Sequence, residues 1–389
     1  MHLDHLLLAL LILLVISAAS VALSRRLGLG AILGLLMAGI LIGPSGLGLP
    51  RRVNEIREVS ELGIVFLLFL VGLEMQPQRL WALRRLVFGL GSAQVVVTGL
   101  ALASYIGFLG RPWNVALLLG LGLALSSTAF VLPMLEERGQ MVAPHGRATF
   151  GILLLQDLAI VPLLALMPLW GGKEGAAGNG TLLRDTAIVA TALAGVYVLG
   201  RWVVPAVLRR LAERGNTEAF AMTAVAVVIG AAWAMLRAGL SMALGVFMVG
   251  LLLSDSPYRQ RIEAIVEPFK GILLGLFFIS IGMGIDVGLL PQVGARLVVH
   301  VAVLIAIKIV VVGILCVAFG LSGADSSRCA LLLGQAGEFG FVLFGAALAA
   351  GILPPEGFAL AAMVISASMA ATPVLGALAD RVGARTPPA

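Results

Sequence analysis

Charged residues are scarce in this chain of 389 residues. Lys, Arg, Asp and Glu together make up only 12% of it, whereas hydrophobic residues make up 60% and the mean hydropathy is +1.08. Soluble domains average roughly 25% charged and 45–50% apolar residues, so this composition excludes a soluble globular protein. Because one crossing takes about 20 apolar residues, the chain has room for about a dozen transmembrane helices and no sizeable soluble domain.

Cysteines and nucleotide-binding motifs are also sparse or absent. Cys316 and Cys329 lie in or beside apolar segments without the short spacing of metal sites, so we interpret them as small buried hydrophobic residues. The net charge of +6 comes without a basic stripe or an aromatic RNA-binding motif, so we expect no nucleic-acid partner. No GxGxxG segment follows a predicted strand, and we expect no cofactor.

The apolar segments predict an all-α polytopic membrane protein with about thirteen transmembrane helices. When the loops are sorted onto the two sides, the side with the C-terminal tail receives 16 of the 26 Lys and Arg residues, and the other side receives 8. The positive-inside rule therefore predicts a cytoplasmic C-terminus and an external N-terminus in the cell (inner or plasma) membrane. The predicted spans are 5–23, 28–43, 59–73, 84–109, 114–134, 147–169, 183–208, 218–237, 239–254, 269–285, 294–320, 326–350 and 356–379.

An internal repeat relates the second span to the ninth. Residues 28–45 and 239–256 align without gaps, with eight identities in 18 positions that include three glycines with the same Gly-x(5)-Gly-x(4)-Gly spacing in both segments. The odd number of crossings between the two spans reverses their direction across the membrane, and inverted repeats of this kind are typical of secondary transporters. We therefore predict one transmembrane domain over 1–389, with six-helix repeats at about 5–169 and 218–379 and a linker helix at about 183–208.

Polar residues interrupt corresponding apolar segments of the two halves. Carrying the repeat forward pairs residues 125–128 (LSST) with residues 335–338 (QAGE). Ser and Thr can bond back to helix carbonyls, and glycine lowers the cost of leaving helical geometry, so both segments are predicted to be broken helices. Their freed carbonyls and helix ends would face an ion. Ser126, Ser127 and Thr128 either supply oxygen ligands or only form hydrogen bonds between helices.

Asp157 is the main candidate for an ion and proton site. It lies eleven residues into the apolar segment 146–167, where an ionised side chain costs at least about 2.5–3.5 kcal/mol. A carboxylate can hold a proton or an alkali cation, and because electrostatics disfavours holding both, one group can couple two opposite fluxes. The alternative is a structural, hydrogen-bonded aspartate. The neighbouring Gln156 either offers a neutral carbonyl ligand or serves helix packing.

Two more charged residues lie within apolar segments. Lys308 is too far from either end of its segment to reach the interface, so it either pairs with a carboxylate or caps the carbonyl end of a broken helix. Glu338, with Gln335, either contributes to the ion path or neutralises a helix N-terminus or Lys308. An intramembrane aspartyl protease needs two facing carboxylates, and only Asp157 lies squarely at mid-membrane, so we do not expect an enzyme.

Several long motifs resemble the membrane domain of Kef-type glutathione-gated potassium efflux proteins, in the monovalent cation:proton antiporter-2 family. The resemblance covers about residues 5–379 and implies a sodium/proton antiporter-like fold with two crossed, broken helices, a mobile core domain, an elevator-like movement and a homodimer. It places the ion-site aspartate at Asp157, the preceding glutamine at Gln156, the helix-11 lysine at Lys308 and the second break at Gln335 and Glu338. The motifs are ALSSTAFVLPML (124–135), HGRATFGILLLQDLAIVPLLAL (145–166), LSMALGVFMVGLLLSDSPYRQRIEAIVEPFKGILLGLFFISIGMGID (240–286) and GQAGEFGFV (334–342).

The resemblance implies a secondary antiporter that exchanges a monovalent cation, first of all potassium, for protons. Sodium/proton exchange on the same scaffold and channel-like potassium efflux without proton coupling remain alternatives. The single carboxylate suggests electroneutral exchange, since relatives with two adjacent aspartates are associated with electrogenic sodium exchange. Kef proteins continue into a cytoplasmic nucleotide-binding regulatory domain, whereas this chain ends at Ala389. Regulation by glutathione or nucleotide is therefore not carried over to this chain, unless that domain was removed or lies on a separate cytoplasmic subunit.

Overall fold

α-Helices account for nearly all of the residues that the computed structural model describes, which are 2–48, 53–75, 77–170, 191–238, 241–285, 288 and 290–384. The described residues contain eight helices long and apolar enough to cross a membrane, together with four shorter apolar helices. The predicted all-α polytopic class is therefore confirmed. The total of thirteen spans stays a prediction, and the first part of the predicted linker helix, 183–190, lies outside the described residues.

The helices follow one another along the chain with short connections. Two π-helical segments, Arg85–Gly91 and Leu199–Val203, directly precede α5 and α11. The α-helices are α1 (His2–Arg26), α2 (Gly30–Ile42), α3 (Val53–Glu74), α4 (Pro77–Ala82), α5 (Ser92–Phe108), α6 (Trp113–Ala124), α7 (Thr128–Glu137), α8 (Pro144–Ala165), α9 (Met167–Trp170), α10 (191–198), α11 (Val204–Glu213), α12 (Thr217–Arg237), α13 (Met242–Leu253), α14 (Arg259–Met283), α15 (Leu290–Ala318), α16 (Gly323–Leu332), α17 (Phe339–Ala349), α18 (Pro355–Ala370) and α19 (Thr372–Ala384).

Local sequence explains where several helices begin. The side-chain oxygen of Asn216 accepts a hydrogen bond from the Ala219 N–H at 3.0 Å and caps α12. The Ser322 hydroxyl oxygen accepts from the Asp325 N–H at 3.1 Å and caps α16. The same hydroxyl donates to Asp325 Oδ2 at 2.7 Å, so it bonds both the backbone and the side chain of Asp325.

The chain divides into two compact units. Residues 1–53, 83–157 and 278–389 form the first, and residues 54–82 and 158–277 form the second. The first unit contains every residue of the predicted ion site. Its core is a cluster of buried side chains, mainly from the π-helical segment Arg85–Gly91 and from α7, α8, α15, α16 and α19. The fully buried members include Leu90, Val131, Leu135, Ile152, Val312, Cys316, Cys329 and Leu333.

In each unit, paired glycines bring two helices to backbone distance. In the first unit, a methyl group on Gly39 of α2 would overlap the Ile279 carbonyl, and one on Gly282 of α14 would overlap the Leu36 carbonyl. In the second unit, a methyl group on Gly250 of α13 would overlap the Phe69 carbonyl, and one on Gly72 of α3 would overlap the Phe247 carbonyl. Small residues at such places allow membrane helices to pack closely.

Candidate ion site

Two interrupted helices lie in the first unit, at the positions that the sequence predicts. α6 ends at Ala124 and α7 begins at Thr128, and the backbone between them is extended, with ψ of 141° at Leu125 and 110° at Ser127. α16 ends at Leu332 and α17 begins only at Phe339. We refer to residues 125–127 as the first break and to residues 333–338 as the second break.

The two breaks contact each other at Gly337. Its N–H donates to the Leu125 carbonyl at 2.9 Å, and a Cβ atom at this position would overlap the backbone of Ser126. The Ser126 hydroxyl in turn donates to the Leu333 carbonyl at 3.0 Å. Any residue larger than glycine would push the breaks apart, so glycine at 337 is a condition of this contact.

Lys308 caps the carbonyl end of α6. Its side chain is fully buried, and Nζ donates to the carbonyls of Leu123 at 3.1 Å, Ala124 at 2.9 Å and Leu125 at 3.0 Å. These carbonyls lack helical partners and carry the negative end of the helix dipole. An ammonium group has three protons, and each has an acceptor here. Of the two roles that the sequence leaves open, the structure therefore shows carbonyl capping.

Glu338 lies at the positive ends of two half-helices. It directly precedes α17, and its Oε1 accepts from the Ala129 N–H in the first turn of α7 at 3.3 Å. A negative side chain at a helix N-terminus is favourable because it meets unpaired N–H groups and the positive end of the dipole. This arrangement matches the predicted neutralising role. Lys308 thus neutralises the helix end that precedes the first break, and Glu338 neutralises the helix start that follows it.

Asp157 faces the start of α7 from the middle of α8. The Thr128 hydroxyl donates to Asp157 Oδ1 at 2.9 Å. Both residues are partly exposed, whereas the adjacent Gln156 is fully buried. A carboxylate beside a hydroxyl presents the oxygen atoms that hard cations prefer.

The side chain of Gln156 is hydrogen-bonded to the first break. Its Oε1 accepts from the Ser126 N–H at 2.7 Å, and its Nε2 donates to Gln94 Oε1 at 2.7 Å. The carbonyl that the sequence offers as a possible ion ligand is therefore used by the backbone. Gln94, on α5, is not among the residues predicted from the sequence. The sequence feature that could have identified it is that Gln94 is the one carboxamide or charged side chain between Arg85 and Arg111.

Several polar atoms on the two breaks are buried without a hydrogen-bond partner among the described residues. They are Ser127 Oγ, Glu338 Oε2 and both amide atoms of Gln335. The Ser127 hydroxyl lies beside the Glu338 carboxylate, whereas Gln335 forms no hydrogen bond to the other candidates. Buried polar atoms nearly always have partners, so the oxygens among them are suited to a cation or to water. The candidate site thus has two groups of oxygen atoms, one at Asp157 and one at Glu338, and the first break connects them.

Solved structures share this fold. The sodium proton antiporter MjNhaP1 from Methanocaldococcus jannaschii at pH 8 matches with a TM-score of 0.67 over 97% of this chain and 99% of that chain, at 18% sequence identity. An electron-microscopy structure of the same antiporter matches with a TM-score of 0.61 over 100% and 99%, at 19% identity. The protein therefore has an antiporter-like fold.

The sequence comparisons define the family. The model of the sodium/hydrogen exchanger transmembrane family matches residues 10–379, and the chain belongs to this family. Its curated relatives include the glutathione-regulated potassium-efflux system protein KefC of Salmonella heidelberg strain SL476, 44% identical over 97% of this chain, and that of Salmonella typhi, 43% identical over the same share. The chain spans 61% of the length of these relatives. The Kef-type resemblance is therefore confirmed.

Proposed function

We propose that this protein is a secondary antiporter that exchanges a monovalent cation, first of all potassium, for protons by alternating access. The observation that carries the proposal is the Asp157 carboxylate, which lies partly exposed in the middle of an apolar helix and accepts a hydrogen bond from Thr128. An ionisable group at that depth is by default functional, because its burial is costly without a role.

The mechanism depends on competition at Asp157. In one state the carboxylate is protonated, and in the other it has released the proton and binds the cation together with the Thr128 hydroxyl. Ser127 and Gln335 supply further oxygens from the breaks. Lys308 and Glu338 neutralise the helix ends throughout the cycle, so that the breaks persist with or without an ion. One carboxylate exchanging one proton for one cation gives electroneutral transport.

Potassium is preferred over sodium because of the relatives. The proteins named as potassium-efflux systems are 44% and 43% identical to this chain, whereas the sodium proton antiporter structures share 18–19% identity, which supports the fold alone. Sodium/proton exchange is the second candidate, since the same oxygen ligands suit either ion. Channel-like potassium efflux is the third, and it predicts ion flux without proton movement.

The remaining features of the proposal concern organisation. Gly39 and Gly250 are matched positions of the sequence repeat, and each contacts a glycine of another helix, which supports inverted repeats at about 5–169 and 218–379 joined by a linker helix. We further propose a homodimer in the inner membrane with the N-terminus outside. No cofactor and no enzymatic reaction are part of the proposal, and a separate cytoplasmic regulatory subunit is a further proposed partner.

Proteoliposomes with a trapped pH dye test the function. We expect a potassium gradient to drive proton movement in the wild type and not in Asp157→Asn, which keeps the side-chain volume and removes the titratable charge. Asp255→Asn is the matched control, because Asp255 is exposed and lies outside the site, and it should exchange like the wild type.

The same assay separates the candidate functions. Proton movement driven by sodium and not by potassium would reverse the choice of ion. A large tracer flux of potassium without a pH signal would favour a channel. Retained cation-dependent proton flux in Asp157→Asn would refute the assignment of the site.

A further inference from the structure

Gln94 joins α5 to the carbonyl end of α6 and to Gln156 on α8. The residue is fully buried, and its Nε2 donates to the Ala124 carbonyl at 3.1 Å and to Thr98 Oγ1 at 3.3 Å. Its Oε1 accepts from Gln156 Nε2 at 2.7 Å. The Ala124 carbonyl also accepts from Lys308, so Gln94 and Lys308 hold the same carbonyl from different helices.

The orientation of both amides in this network is fixed by the backbone. The Ser126 N–H can only donate, so the group facing it at 2.7 Å must be the Gln156 oxygen, and the Gln156 nitrogen must face Gln94. Gln94 therefore presents its oxygen to Gln156 and its nitrogen to the Ala124 carbonyl, which can only accept. Turning either amide over would lose bonds at both of its ends, so the network admits one arrangement.

Close packing of α8 on the segment around α5 makes this network possible. A Cβ atom on Gly91 would lie 2.8 Å from the Leu155 Cβ, and one on Gly151 would lie 2.8 Å from the Leu86 Cβ. Both distances are too short for a larger residue. The two glycines thus permit the approach at which Gln94 reaches Gln156.

We propose that Gln94 is a positioning residue of the ion site, an inference that rests on the proposed antiport function. Gln94 fixes the amide of Gln156, and Gln156 fixes the Ser126 N–H within the first break. Thr128 begins the next half-helix two residues later, so this chain of bonds sets where its hydroxyl meets Asp157. Gln94 itself touches neither the ion nor the proton, and its loss should weaken cation binding more than it slows the transport step.

The test measures potassium-driven proton flux against potassium concentration in proteoliposomes of purified, full-length protein. Gln94→Met keeps the shape of the side chain and removes its amide, and we expect the half-saturating potassium concentration to rise at least about fivefold, with the maximal rate within about twofold. Gln156→Met should have a similar effect. Because the two amides act as one unit, the double variant should be no worse than the more affected single variant.

Thr98→Val is the matched control. It lies one helical turn from Gln94, and the change removes only the 3.3 Å acceptor, so half-saturation should stay within about twofold of the wild type. Gln94→Glu covers the case in which Gln94→Met does not fold: its carboxylate keeps an acceptor for Gln156 and loses the donor to the Ala124 carbonyl. We expect a rise in half-saturation here as well.

Three outcomes would overturn the inference. The first is a folded Gln94 variant with half-saturation within about twofold of the wild type. The second is additive effects of Gln94→Met and Gln156→Met. The third is failure of both Gln94 variants to fold while Thr98→Val folds, which would assign the amide to the fold alone. Failure of the antiport proposal is distinct, since the wild type itself would then show no cation-driven proton flux.

Discussion

The hydroxyl of Thr128 donates to Oδ1 of Asp157 at 2.9 Å, and this bond joins the first turn of α7 to the middle of α8. It links the half-helix that follows the first break to the one carboxylate of α8. Whatever moves the break also moves the hydroxyl relative to the carboxylate. The affinity for a cation should therefore depend on this pair of residues.

Replacing Thr128 tests that dependence. Thr128→Val keeps the shape and removes the hydroxyl, so the cation loses one oxygen ligand and Asp157 loses a charge-assisted hydrogen bond. Since such bonds contribute about 1.5–3 kcal/mol, we expect half-saturating potassium to rise about tenfold or more. Thr128→Ser restores the hydroxyl and should lie close to the wild type. Equal affinities for the valine and serine variants would contradict the role of the hydroxyl.

Lys308 is expected to be required for stability. Lys308→Ala removes the ammonium donor from the carbonyls of Leu123, Ala124 and Leu125, and hydrogen bonds to charged groups contribute about 1.5–3 kcal/mol each. The Ala124 and Leu125 carbonyls keep Gln94 and Gly337 as donors, whereas the Leu123 carbonyl loses its side-chain donor. Thermal unfolding in detergent should therefore show a loss of several kcal/mol. Lys270→Ala is the control: Lys270 is partly exposed in a 4.0 Å ion pair with Glu267, so the loss should stay within about 1 kcal/mol. A similar unfolding temperature for the two variants would exclude the capping role.

Glu338→Gln separates the two predicted roles of Glu338. The amide keeps an oxygen that can accept from the Ala129 N–H but removes the negative charge at the starts of α7 and α17. If the charge neutralises helix ends, stability falls by about 0.3–2 kcal/mol and exchange continues. Both are measured on the same preparation, by thermal unfolding and by potassium-driven proton flux. Abolished exchange at full stability would instead place Glu338 in the ion path.

Gly337 is expected to tolerate no side chain. Gly337→Ala would force a methyl group into the Ser126 backbone, so the two breaks must separate, at a cost of about 1–3 kcal/mol or more. Gly345→Ala, in the same half-helix α17, is the control because a methyl group there meets nothing within 4 Å. That change should stabilise the helix by up to about 1 kcal/mol. Thermal unfolding of the two variants should therefore shift in opposite directions, and parallel shifts would argue against the contact.

The Asp325 carboxylate gives a prediction for acid conditions. Its burial raises the pKa, but hydrogen bonds with Ser322 and His145 outweigh this effect, so the pKa is lowered overall. A lowered carboxyl pKa stabilises the fold above the unfolded value of about 3.9, and this contribution is lost as the pH falls through the folded pKa. Unfolding temperatures between about pH 3 and 7 should fall less steeply on the acid side for Asp325→Asn. An unchanged dependence of the unfolding temperature on pH would show that Asp325 and its partner His145 do not contribute to stability.

Much of this protein was determined by its sequence alone. Hydropathy identifies the membrane class because the bilayer demands long apolar segments with internally bonded backbones. The polar tetrapeptides at 125–128 and 335–338 identify both broken helices, since hydroxyl and glycine residues relieve the cost of leaving helical geometry. The depth of Asp157 within an apolar segment singles it out as the candidate for the ion.

The partners of the buried polar groups were decided only by the tertiary structure. Lys308 could have met a carboxylate, and it meets three carbonyls that lie more than 180 positions earlier in the chain. Gln156 could have faced the ion, and its oxygen accepts from Ser126 while its nitrogen holds Gln94, 62 positions away. A sequence pattern reports that a donor or acceptor is buried. Which distant backbone group satisfies it depends on how the helices pack, because several partners of equal chemistry compete and geometry selects one.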